Sequence, residues 1–478
     1  MVARSRPLGA TLLIFYLGYF AHWRFLFRSI MRTIKKRAPS LLTLAVAGIW
    51  TAFSPLVQAQ NLLDLYTSAR AFDAGYLSAR LQYDANLARA DQARAGILPT
   101  AGLAASATRT DLNISSVSAT SNRAFNNQTA TLSASQPLYR PGNWATYEQG
   151  KKQVALARAQ LDTAEQDLIV RTSQAYFDVL ASQDGLTFVK AQKTAVAEQL
   201  ASAQRNFEVG TATITDSREA QARFDLVLAQ EIAAENDLRV KKLALDQLVG
   251  KAETQPRGLL APLVLPTLVP VDVNAWVLQS ETAHPGIRLA QSNFDIARLE
   301  VDKAEAGHKP TLDLVASYGG SRNPNGTVTN SSTSRVTSNV IGLNFNLPLF
   351  AGFATQNRVR ETLSLSDKAR TDLEGARRTV ALATRTAFFG LLSGQGQVKA
   401  LEAAERSSQS ALDANKLGYQ VGVRINIDVL NSQSQLFQTK RDLARARYDV
   451  LVGGLRLRQA NGTLSPDDLQ AINGLLAQ

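Results

Sequence analysis

Few side chains in this 478-residue chain could carry covalent or metal chemistry. Cysteine is absent, which excludes disulfides, thiolate metal sites, a thiol nucleophile and an N-terminal lipid on cysteine. His22, His284 and His308 are the imidazoles, and no two of them sit at ligand spacing. Gly150-Lys151 lacks both the earlier glycine and the following Ser/Thr of a phosphate-binding loop. Gly394-Gln395-Gly396 lacks the third glycine of a dinucleotide fingerprint, and neither HExxH nor GxSxG occurs. The sequence thus predicts no enzyme activity, no metal and no cofactor. The remaining polar chemistry gathers in two short turns, 210–216 and 422–428, which close on Asp216 and Asp428. An acid in the first turn of a helix offsets the helix dipole by roughly 0.3–1 kcal/mol, so both are expected to cap the helices that follow.

The elements that hold these turns come as one unit written twice. A shift of 211 residues superposes Ala95-Gly96-Ile97-Leu98-Pro99-Thr100 on Ala306-Gly307-His308-Lys309-Pro310-Thr311, and Pro137-Leu138-Tyr139 on Pro348-Leu349-Phe350. After one inserted residue, a shift of 212 superposes Ala175-Tyr176-Phe177 on Ala387-Phe388-Phe389, Phe207-Glu208-Val209-Gly210 on Tyr419-Gln420-Val421-Gly422, and Asp216 on Asp428. Two copies are too few for a solenoid, so a tandem duplication of one large unit fits better. The copies are expected at 60–249 and 273–461, with a tail at 462–478. Between them lies a linker at 250–272, where Pro256, Pro262, Pro266 and Pro270 exclude a continuous helix.

Each copy follows the same order. A first helix is expected at 62–95 and at 273–306, free of proline except for Pro285, and a Pro-Thr pair stops it. A period-two segment comes next, in which Leu312, Leu314, Ala316 and Tyr318 alternate with Thr311, Asp313, Val315 and Ser317. After a polar loop (111–127 and 320–338), Ile341, Leu343, Phe345 and Leu347 alternate with Gly342, Asn344 and Asn346. The first copy is fainter, with Leu103 and Ala105, then Ala130, Leu132 and Ala134. About ten residues is the length of a tilted transmembrane strand, although a hairpin on a soluble core shows the same pattern. Proline-free stretches at 144–207 and 355–419 follow, each roughly 95 Å long as helix. Leu161, Leu168 and Ala175 recur every seven residues, as do Leu373, Val380 and Ala387, which predicts coiled-coil packing. Gly210 and Gly422 end these helices, and return helices at 216–248 and 428–459 complete two hairpins. Gly390, Gly394 and Gly396 mark either a bend or a close helix contact. Four strands cannot close a barrel, and an open sheet in lipid leaves edge groups unpaired. A membrane reading therefore requires two, three or four chains to share one barrel.

The net charge of +12 at first points to nucleic acid. Eight Lys/Arg and no acid fall in residues 1–59, however, and the remainder holds 44 Lys+Arg against 40 Asp+Glu. From Met31, a basic Met-Arg-Thr-Ile-Lys-Lys-Arg, an apolar run at 41–53 and Val57-Gln58-Ala59 have the layout of a secretory signal peptide cleaved before Gln60. About 13 apolar residues fall short of a membrane anchor. Residues 1–59 are thus a targeting region with the signal at 31–59, Met31 is the expected start, and no nucleic-acid partner is expected.

The sequence resembles the TolC family of outer-membrane efflux and secretion channels over essentially all of residues 61–469. The most specific stretches are Ala175-Tyr176-Phe177-Asp178-Val179-Leu180, Gly210-Thr211-Ala212-Thr213-Ile214-Thr215-Asp216, Gly307-His308-Lys309-Pro310-Thr311-Leu312-Asp313-Leu314, and Tyr419-Gln420-Val421-Gly422-Val423-Arg424-Ile425-Asn426-Ile427-Asp428-Val429-Leu430. The resemblance implies a mixed, mainly α fold. Long coiled-coil hairpins would form an α-barrel, and four transmembrane β-strands per protomer would contribute to a shared twelve-stranded β-barrel in a homotrimer. It also implies an equatorial region built from the linker and tail, and an outer-membrane location reaching into the periplasm of a Gram-negative bacterium. The implied function is a passive, gated exit duct for small molecules or unfolded protein. Its implied partners are a periplasmic adaptor, an inner-membrane pump or ABC transporter, and outer-membrane lipid.

By the same resemblance, polar links between neighbouring hairpins hold the periplasmic entrance closed, and the matching residues are Thr215, Asp216, Tyr419 and Arg424. If three chains bring these turns together, Asp216 and Asp428 are each repeated around the axis, an acidic ring that would select cations and bind di- or trivalent ones. Family members often carry a second acid three residues past the position of Asp428, where this chain has Asn431. Glu219, three residues past Asp216, is expected to restore part of that charge. The alternative is a soluble periplasmic coiled-coil adaptor, although adaptors typically carry one hairpin between lipoyl-like and barrel modules and lack two duplicated strand pairs.

Overall fold

The computed structural model describes residues 60–116, 119–260, 262–328 and 330–477. The expected leader at 31–59 lies outside them. In chain order the elements are α1 (Leu62–Phe72), α2 (Ala74–Ala95), β1 (Thr100–Ser116), β2 (Ala119–Tyr139), α3 (Pro141–Glu208) and α4 (Ile214–Val249). The second copy contributes α5 (Val273–Ala283), α6 (Pro285–Glu305), β3 (Thr311–Asn323), β4 (Ser334–Asn346), α7 (Ala354–Gln420) and α8 (Asn426–Asn461), followed by α9 (Asp467–Asn473).

The single first helix predicted for each copy is two. Asp73 leaves the helical region (ψ 118°), and its carboxylate accepts from Tyr76 N at 2.8 Å to start α2. Arg171 of α3 binds the same carboxylate at 3.0 and 3.1 Å and draws its pKa below the usual value. The break recurs at His284, whose Nδ1 accepts from Gly286 N at 3.0 Å, and Pro285 opens α6 where its missing N–H costs nothing.

α3 and α7 run 68 and 67 residues, about 100 Å each at the helical rise. Heptad positions meet the partner helices as predicted: Leu161, Leu168, Leu373 and Val380 are buried. Val189, Val196 and Ala203 of α3 interlock with Ala220 and Val227 of α4 to hold the first hairpin together. α7 is continuous through its three glycines. A Cβ at Gly394 would lie 3.2 Å from Val450 of α8, so that glycine serves a close helix contact rather than a bend. The main core lies where α1, α3, α4, α8 and α9 meet, around Leu65, Tyr66, Ile169, Tyr176, Phe177, Leu245, Leu451 and Leu469. There Tyr176 donates to the Arg257 carbonyl at 2.8 Å, and a short bridge pairs Leu259 with Leu476.

The strands form one antiparallel sheet in the order β1-β2-β3-β4. Its register puts Ala101, Leu103, Ala105, Leu132, Ala134, Leu314, Ala316, Tyr318, Ile341, Leu343 and Phe345 on one face. The other face carries Gly102, Ser106, Thr129, Ser133, Ser317, Gly319, Ser338 and Asn344, interrupted by Leu112, Val315, Val336 and Val340. Ile341 is 83% exposed and Leu103 76%, so the apolar face is uncovered within the protomer. The predicted polar loops are shorter than expected. Pairing of β1 with β2 runs out to Ser116 and Ala119, through residues read as loop, and β3 and β4 extend to Asn323 and back from Ser334. In β1 the alternation of Leu112 and Ile114 continues on the face opposite Leu103, and residues 122–128 and 319–323 are mostly polar or glycine on both faces, while the backbone ladder still forms. Among the described residues no helix is long and apolar enough to cross a membrane.

Candidate channel entrance

The two hairpin turns are built alike. Gly210 (φ +78°) follows α3, and Thr211 N and Ala212 N return to the Asn206 carbonyl at 2.8 and 3.1 Å. Gly422 (φ +77°) follows α7, and Val423 N and Arg424 N return to the Gly418 carbonyl at 2.9 and 3.1 Å. Asn206 and Gly418 are equivalent at the 212-residue shift, so the duplication persists down to individual carbonyls. Both turns need a left-handed residue to satisfy the last carbonyls of a long helix, which glycine supplies without strain.

The returning helices start differently. In the first turn Thr213 and Asp216 form a capping box: Asp216 N donates to Thr213 Oγ1 at 3.2 Å, and Asp216 Oδ2 accepts from Thr213 N at 3.0 Å and from its hydroxyl at 2.8 Å. The equivalent of Thr213 is Ile425, which has no capping oxygen. Asp428 therefore does not cap its helix by a side-chain bond, contrary to expectation. It lies in the first turn and sits 3.7 Å from Arg424, a loose pair between partly exposed groups worth under about 1 kcal/mol.

Within one protomer the expected entrance residues are not all joined. Asp216 is engaged with Thr213, and Thr215 is exposed. The Tyr419 hydroxyl accepts from Asn206 Nδ2 at 3.2 Å, which links the second hairpin to the first. Asn431, which stands where the family often has an acid, accepts from Arg223 of α4 at 2.9 Å. Glu219 is half-buried on α4. Asn206, Arg223, Gln199 and Asn426 were not legible as site residues. Gln199 Nε2 donates to Asn426 Oδ1 at 2.5 Å, and Asn426 Nδ2 donates to the Asp216 carbonyl at 3.2 Å. The one signal that could have found them is polar residues falling on the packing face of a heptad pattern. Further from the turns the seam between the hairpins becomes apolar, with Phe177 stacked near Tyr448 at 5.7 Å. There the Tyr448 hydroxyl donates to Asp184 at 2.7 Å, and burial pushes the Asp184 carboxyl pKa up.

The protomer thus combines long paired hairpins, polar turns at their tips, and a sheet with one uncovered apolar face. The model of the outer membrane efflux protein family matches residues 65–251 and again 276–463, one match in each copy. The chain belongs to that family. Outer membrane protein TolC of Escherichia coli (strain K12) is 33% identical over 456 residues, covering 93% of this chain and 90% of TolC. Proteases secretion protein PrtF of Dickeya chrysanthemi is 29% identical, covering 87% of this chain and 91% of PrtF. The crystal structure of the outer membrane protein VceC of Vibrio cholerae shares the fold at a TM-score of 0.71 and 20% identity, covering 84% of this chain and 96% of VceC. This family member is an outer-membrane exit duct for efflux or type I secretion that extends into the periplasm. The family is one of channel proteins.

Proposed function

We propose that three copies of this chain share one twelve-stranded barrel, act without catalysis of their own, and gate transport at the turns 210–216 and 422–428. The observation that carries this reading is the sheet itself. It exposes an apolar face and leaves both β1 and β4 as open edges, which lipid does not tolerate. Joining β1 of one protomer to β4 of the next removes every edge. The polar face of Ser, Thr, Asn and Gly then lines a water-filled lumen.

A periplasmic adaptor would dock on the hairpins, and an inner-membrane pump or ABC transporter would supply the energy, since the sequence has no phosphate-binding loop. The cargo is small molecules or unfolded protein. Three Asp428 carboxylates at the entrance, with Glu219 adding to them, would favour cations, while Tyr419, Arg424, Thr215 and Asp216 hold the tips together. Native mass measurement on detergent-extracted outer membranes tests the assembly. Heat-sensitive trimers are expected, and a stable monomer or dimer would overturn it.

A further inference from the structure

The first turn of α8 contains a side chain that helix formation does not explain. Asn426 is 1% exposed, and Val429 and Leu430 next to it are fully buried. Its equivalent in the first copy at the 212-residue shift is Ile214, a residue 48% exposed at the start of α4. A helix start of this kind therefore does not need asparagine. Asparagine there lets one side chain of the second hairpin reach both helices of the first: its oxygen accepts from Gln199 of α3, and its nitrogen donates to the Asp216 carbonyl of α4.

The seam around it is graded. At the tip the hairpins are joined by the polar contacts Asn206–Tyr419, Arg223–Asn431 and the Gln199–Asn426–Asp216 chain, and by one apolar side chain, Leu430, buried against Val196, Ala203, Ala220 and Val227 of the first hairpin. Toward the other end they are joined by Phe177, Tyr448, Leu451, Val452 and Leu455. Parting an apolar seam exposes area in proportion to its length, whereas a polar contact exchanges its bonds for water at small net cost. The tip, with Leu430 as its one large apolar contact, therefore separates at lower cost than the far end. Of the polar tip contacts, Asn426 is the buried one, where an unmade bond is least tolerated in the closed state.

We propose that Asn426 is the positioning residue that sets the resting closure of the entrance, and that opening requires both of its bonds to be exchanged for water. This rests on the proposed gating at the hairpin turns. The test is single-channel recording of purified trimers in planar bilayers, with heat stability of the trimer measured in parallel. Asn426→Ala, which removes both bonds without adding apolar contact, is expected to raise the open-state ratio at least ~10-fold, which corresponds to about 1.4 kcal/mol, without lowering trimer heat stability. Gln199→Ala removes the first of these bonds from the half-buried side without disturbing the packing of α8, so it keeps the test available if Asn426→Ala assembles poorly. It is expected to move the ratio in the same direction, and the double variant is expected to add little to the larger single effect. A wild-type open ratio in Gln199→Ala, with Tyr419→Phe/Arg424→Ser opening the channel, would overturn the role of Asn426 and leave the gate in place. No change in any of these variants would overturn both.

Discussion

Arg140 and Asp313 form a fork-like ion pair that ties the start of a long helix to the sheet of the other copy. Arg140 Nε and a terminal guanidinium nitrogen donate to the two Asp313 oxygens at 2.7 and 2.5 Å. The Asp313 side chain is 5% exposed and that of Arg140 43%. The asymmetry sets the energetics. Removing one partner of a fully buried pair costs about 3–5 kcal/mol, because the other charge is left without solvent. Here water reaches the guanidinium, so the expected cost of Arg140→Met falls to about 2–3 kcal/mol, still dominated by the stranded carboxylate. Asp313→Asn strands only a half-exposed cation and should cost about 1 kcal/mol. The double variant has no stranded charge and should be more stable than Arg140→Met alone, a coupling of about 1–2 kcal/mol. Denaturant unfolding followed by tryptophan fluorescence suits the test, since Trp144 lies one turn into α3 beside the pair. Additive single effects, or a loss below about 0.5 kcal/mol for Arg140→Met, would refute the reasoning.

Four further outcomes follow from the same coordinates. Burial and the positive charge of Arg288 hold the His284 pKa below its usual value, and its neutral Nδ1 caps α6. The unfolded chain therefore takes up the proton first, so stability is full above about pH 6.5 and declines as pH falls below it. Thermal melts of His284→Gln should lose that slope. Gly462 has φ +81°, and a Cβ there would fall on the His284 backbone, so Gly462→Ala should cost about 2 kcal/mol or more. Gly210→Ala, with φ +78° and open space around it, should cost only about 1 kcal/mol in the same unfolding assay. Glu219→Gln should weaken cation selectivity and divalent block in planar bilayers, and an unchanged reversal potential would make Glu219 an ordinary surface residue.

The fold was legible where residues repeat at a fixed period. The heptads through Leu161 and Leu373, the glycines that end α3 and α7, and the alternation from Leu312 to Tyr318 each describe a backbone geometry that few other structures satisfy. The outer parts of β1 and β2 were not legible, because Leu112 and Ile114 alternate on the face opposite Leu103, which breaks the apolar period of that strand, and residues 122–128 of β2 are mostly polar on both faces. The helix breaks at Asp73 and His284 were missed for another reason. Each depends on one side chain capping the next helix, a local competition that composition does not reveal. At the entrance the turns and their acids could be placed from sequence, but Asp216 could not be paired in advance. Its partner is Thr213, three residues away, and the contacts that join the hairpins come from Asn206, Gln199, Arg223 and Asn426, more than two hundred residues from their partners.

A water-filled exit duct closed at its helical end should conduct ions when that end is loosened. Single-channel recording of the purified wild-type protein beside Tyr419→Phe/Arg424→Ser tests it most directly. A small, cation-selective conductance that multivalent cations block from the helical side is expected in the wild type, and a larger conductance in the double variant. A variant whose conductance matches the wild type, or a wild-type channel that prefers anions, would contradict a duct closed in this way.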